Sequence, residues 1–214
     1  MGFDVTRLNW VDFALVLVLL LGVARGRKRG MSEELLDLLK WLASVVLATM
    51  FYQPIGDYFA ANSMFSHLFC YLMVYVLIVL AMRFVFSMVR RQVGEKLVGS
   101  DIFGNAEYYL GLGAGMVRYG CVTLMVLALL NARLYSPDEI DRFKRTQADN
   151  FGTITFPTLM GLQEQVFAKS LLGGSLKTHL PGVLITPTAP EKKGLEKAAS
   201  VKKREQVIDE VLRR

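Results

Sequence analysis

Residues 110–120, "LGLGAGMVRYG", decide how this chain is read. Glycines alternate at 111, 113 and 115, which suggests a loop cradling a phosphate. Such a loop needs a strand before it and a helix after it in an α/β unit. Here "NAEYY" precedes and the apolar run "CVTLMVLALL" follows directly, so the nucleotide reading fails. On a helix, Gly111 and Gly115 are four residues apart, and Arg118 follows three later on the same face. Small residues at that spacing admit a second helix at close range. The stretch reads as part of a membrane helix, Tyr108 to Ala132, whose apolar course is interrupted by Arg118.

Composition agrees. Hydrophobic residues make up 53% of the 214, and the mean hydropathy of +0.36 is high for a soluble domain. The net charge of +6 favours an anionic surface as neighbour without implying nucleic acid. Cys70 and Cys121 lie in apolar runs and read as small buried hydrophobes. His67 and His179 stand far apart with no acid or thiol nearby. Neither a catalytic triad, a metal site nor a cofactor site is expected.

Further spans follow from the need for about 20 apolar residues. Between Asp57 and Arg83 the 25 residues "YFAANSMFSHLFCYLMVYVLIVLAM" carry no acid, lysine or arginine, and a span starts near Met64. "DFALVLVLLLGVA", from Asp12 to Ala24, crosses with the help of "LNWV". "WLASVVLATMFYQPIG" follows "SEELLDLLK", whose leucines form one helical face. Ser32 marks the start of that helix, and Pro54 with Gly56 its end. The expected fold is all-α, with four transmembrane helices and a short, partly helical extramembrane tail. A cleaved leader is the rival for the first span, but the basic cluster comes after its apolar run rather than before.

Lysine and arginine set the direction. Arg25, Arg27, Lys28 and Arg29 follow the first span, with Lys40 beyond; Arg90, Arg91 and Lys96 follow the third. Both are read as cytoplasmic loops, which places both termini outside the cytoplasm.

The glycine stretch has an echo. Gly22, Gly26 and Arg29 repeat the offsets of Gly111, Gly115 and Arg118. Internal repeats are common in membrane proteins, although one short pair is also compatible with coincidence. The four glycines are expected to pack helices. Arg118 at mid-span requires a partner or water. Depths counted along the helices bring Asp12 within its reach, giving an intramembrane pair Asp12–Arg118. The alternative leaves Asp12 in the outer headgroup region and Arg118 on backbone carbonyls or water.

"GRKRGMSEELLDLLKW" resembles the signature of the colicin V production protein (CvpA) family, with Gly26, Arg29, Gly30, Glu34, Leu36, Leu38 and Trp41 at matching places. "NWVDFALVLVLLLGV" is similar to the family's opening. "GLGAGMVRYG" is similar to its second G-x-x-R-G, with Tyr119 in place of a glycine. The resemblance covers about residues 9–132. It implies a bacterial inner-membrane protein without established enzymatic activity, supporting production or export of a colicin V-type bacteriocin toxin, with links to envelope stress. Related four-span domains carry periplasmic serine proteases; with only His179 in the tail to offer a triad, that activity is not expected to carry over to this chain.

Three regions follow: a membrane domain, 1–132; an amphipathic, membrane-proximal extracytoplasmic segment, 133–190; and a charged helical or disordered tail, 191–214. Within the second, Ser136 and Pro137 open a helix with acids in its first turn. The expected function is a non-enzymatic scaffold for toxin production or envelope homeostasis. Its partners would be the lipid bilayer and further copies or other envelope membrane proteins, not nucleic acid. A small-solute or ion channel is the alternative, and an intramembrane enzyme a third reading for which the spans offer no reactive pair.

Overall fold

The computed structural model describes residues 9–98, 104–135, 137–151 and 158–188. Helix α1 (Trp10–Asn62) opens on a reciprocal cap, in which the Asn9 side chain accepts from Trp10 N–H and Asp12 accepts from Asn9 N–H at 2.9 Å. The helix is broken once, at Gly30, with φ 76° and ψ 173°. Such a backbone is open to glycine and costly for any residue with a Cβ.

The basic run 25–29 is therefore no loop but the last turn before this break. Cations there face the negative end of the helix dipole. The second half resumes directly after Gly30, and Glu107 Oε1 accepts the Ser32 N–H at 3.0 Å, the bond made there by a glutamate far along the chain rather than by a serine cap. Pro54 and Gly56 do not end the helix, which runs on to Asn62 with Pro54 inside it. A proline costs one backbone hydrogen bond, a loss that neighbouring helices and local adjustment make tolerable in membrane helices. Gly56 is small for packing, since a Cβ there would collide with the Tyr71 ring.

Helix α2 (His67–Val98) and helix α3 (Glu107–Asn131) follow, α3 after a 3₁₀ turn at Gly104–Ala106. Helix α4 (Pro137–Phe151) carries Asp138 and Glu139 in its first turn, as read from the sequence; Ser136 lies outside the described residues. Helix α5 (Leu159–Glu164), a π turn (Gln165–Lys169) and helix α6 (Leu171–His179) complete the described elements. The charged tail 191–214 also lies outside them.

The protein is mostly helical, with no strand among the described residues. Three helices are long and apolar enough to cross a membrane: Trp10–Asn62, His67–Gln92 and Glu107–Asn131. They are three rather than four because α1 is bent at one glycine instead of being divided by a loop.

Contacts show where the chain reverses. Gly26 lies against Gly111, and Gly22 against Gly115, so residues 10–29 run antiparallel to α3. Beyond Gly30 the chain returns towards the other end of α3. There Tyr52 Oη lies 3.0 Å from Thr186 Oγ1, and Asn131 donates to Ile185 O at 3.0 Å. Tyr52 also meets Tyr71 and Tyr75 of α2 edge to face. Val45, Ala48, Val74, Met125 and Ala128 fill the core between α1, α2 and α3, and Leu184 and Ile185 close one end of it.

Candidate functional site

Two features at opposite ends of the bundle use its buried polar residues. The first is built on the repeated glycines. Gly22 and Gly26 face Gly111 and Gly115 directly: a Cβ on Gly22 would lie 2.8 Å from Gly115 O, and one on Gly111 would lie 2.8 Å from Gly26 O. The two copies of G-x-x-x-G-x-x-R thus pack against one another, backbone on backbone. Gly113 is off that face, and a Cβ added there would meet nothing within 4 Å.

Each copy ends in an arginine, and both arginines reach the same carboxylates. Arg118 Nη1 lies 2.5 Å from Glu34 Oε2 and 3.4 Å from Asp37 Oδ2. Arg29 Nη1 lies 3.6 Å from Glu34 Oε1 and 3.4 Å from Asp37 Oδ2. Lys40 Nζ bonds Asp37 Oδ1 at 2.7 Å, and Arg90 of α2 stands 3.9 Å from the same oxygen. Glu34 is 0% and Arg118 8% exposed, so each charge depends on the other for what water would otherwise supply. The guanidinium of Arg118 also lies 5.0 Å from the Tyr119 ring centroid.

The pair Asp12–Arg118 is corrected by this geometry. The Arg118 guanidinium is taken by Glu34 and Asp37, which follow the break at Gly30. Asp12 sits at the opposite end, 1% exposed, and accepts from Ser170 Oγ at 2.6 Å, Leu172 N–H at 2.9 Å and Leu171 N–H at 3.3 Å. Its carboxylate thus caps α6, where the helix dipole favours negative charge, while also closing the cap of α1. This is the second feature.

The family-motif residues divide their roles. Gly30 makes the break, Arg29 and Glu34 enter the ion cluster, and Trp41 packs half-buried against the core beside Lys40, whose Nζ is 5.7 Å from its ring centroid. Sequence reading missed Asp37 as a partner, although Glu34, Asp37 and Lys40 at spacings of three share one helical face. It also missed Ser170, which precedes "LLGG" as a helix-capping serine should. Glu107 and Arg90 left no such signal, because their partners are remote in sequence.

Cys70 and Cys121 are buried thiols. Among the described residues, histidine, cysteine and carboxylate side chains do not gather in the threes a metal ion would need. The arrangement holds charge and orders helices.

No curated protein and no solved structure matches the chain. The family model described as Colicin V production protein matches residues 11–145, more than half of the chain, with both glycine copies and the whole ion cluster inside. The chain belongs to the colicin V production protein family.

Proposed function

We propose that this protein is a non-enzymatic scaffold of the bacterial inner membrane that supports toxin production or export, or envelope homeostasis, by assembling with copies of itself or other envelope proteins. Membership of the family supports the link to toxin production. The observation that carries the scaffold reading is the glycine crossing of α1 on α3. Its backbone-to-backbone approach leaves no room for a conduit at that interface, and Arg118 is matched by carboxylates rather than left facing a path.

The proposed topology has four crossings. Fifty-three residues of straight helix would measure about 80 Å, against a hydrocarbon core of about 30 Å. Reversal at Gly30 divides α1 into two segments, each long enough to cross. Arg25, Arg27, Lys28, Arg29, Lys40 and Arg90 gather at the Gly30 end, which supports a cytoplasmic placement there and both termini outside.

The test is purification of the full chain in native membrane discs, with cross-linking and identification of what copurifies, beside ion and solute flux from proteoliposomes. Stoichiometric self-association or a recurrent envelope partner without flux is the expected result. Flux above that of empty vesicles would overturn the reading.

A further inference from the structure

A groove of about 440 Å³ opens beside the glycine crossing, lined by Leu21, Ala24, Arg25, Lys28, Arg29 and Tyr119. We infer that this groove is a binding site for the phosphate of an anionic phospholipid, with an acyl chain lying along α1.

The lining changes character along its length. Leu21 and Ala24 form its apolar part, and Leu17 and Leu20, 60% and 58% exposed, continue the apolar surface of α1 away from the break. Arg25, Lys28 and Arg29 occupy the last turn before Gly30, and no acidic side chain lines the groove. Tyr119 adds an aromatic ring with a polar tip, a side chain suited to the headgroup level. An amphiphile with one negative charge matches this sequence of surfaces from tail to head.

The charge is available for a ligand. Glu34 and Asp37 are held by Arg118, Lys40 and Arg29. Among the described residues Arg25 and Lys28 have no acidic partner, and both are exposed. The helix ends just beyond them at Gly30, and its carbonyl end repels an anion. Binding must therefore come from the basic side chains, so removing them should remove the site. Arg29 lines both the groove and the ion cluster, which places a bound headgroup one residue from the carboxylates that hold Arg118.

The inference rests on insertion in a bilayer, and it holds whichever leaflet the basic end faces. Full-length protein in an uncharged detergent, titrated with phosphatidylglycerol or phosphatidylcholine and read by native mass spectrometry, tests it. Phosphatidylglycerol should be retained in preference to phosphatidylcholine. The double substitution Arg25→Gln with Lys28→Gln should weaken its binding about twenty-fivefold, taking each basic residue as worth about fivefold near an anionic surface. Arg83→Gln, at an exposed basic residue of α2, should leave it unchanged. If the double variant folds poorly, Lys28→Gln alone should still give about a fivefold loss.

Equal retention of the two lipids would overturn the assignment, as would an equal loss with Arg83→Gln. Displacement of the lipid by inorganic phosphate at matching concentration would also overturn it, by making this a site for free phosphate. None of these results bears on which proteins copurify with the chain, so the scaffold reading stands or falls separately.

Discussion

Arg118 and Glu34, 84 residues apart in sequence, meet at 2.5 Å in the interior of the bundle. Glu34 stands four residues beyond the break at Gly30, so the bend in α1 is what turns this carboxylate back towards α3. Close approach of the helices, allowed by Gly22, Gly26, Gly111 and Gly115, brings the arginine to it.

Removing one member of this pair strands the other. Arg118→Ala should lower stability by about 3–5 kcal/mol, and Glu34→Ala by a similar amount, as for other buried pairs broken on one side. The double variant should be less damaged than the sum of the two. Melting temperature and folded yield in detergent check this. Strictly additive losses would deny the coupling.

The glycine crossing should tolerate no methyl group. Gly26→Ala and Gly115→Ala place a Cβ against the backbone of the facing helix and should each lower the melting temperature. Gly113→Ala is the control. It meets nothing within 4 Å, and alanine gains about 0.5–1 kcal/mol over glycine inside a helix. A melting temperature lowered equally by all three would indicate a general intolerance rather than this contact.

Asp12 should hold α6 in place. In Asp12→Ala the amides of Leu171 and Leu172 and the hydroxyl of Ser170 lose their acceptor. Hydrogen bonds to a charged group contribute about 1.5–3 kcal/mol each, so exchange of the segment 170–173 should quicken by at least about tenfold. Hydrogen exchange with mass spectrometry reads this directly. Protection equal to wild type would show that packing alone seats the helix.

Orientation is open to fusions. Periplasm-specific reporters placed after Asp57 and Arg214 should be active, and one after Glu95 silent, because the basic residues gather at the Gly30 end. An active reporter at Glu95 would reverse the direction.

The sequence by itself determined the helical class, the apolar course of α2 and α3, the start of α4 at Pro137 and the glycine face containing Gly111 and Gly115. These are local properties: an apolar run, a spacing of four and a proline that lacks a donor act within a few turns of helix. Offsets shared by residues 22–29 and 111–118 marked the two faces that meet. Tertiary structure alone decided that Arg118 takes Glu34 and Asp37 while Asp12 caps α6. The choice of carboxylate depends on the register between helices and on a reversal confined to one residue, Gly30, with φ 76°. Counting rise along separate spans carries no register between them, and so matched Arg118 with the wrong acid. The course of α1 past Pro54 was likewise hidden, because what outweighs a proline's missing hydrogen bond is packing against Tyr71 and the neighbouring core, which no local pattern records.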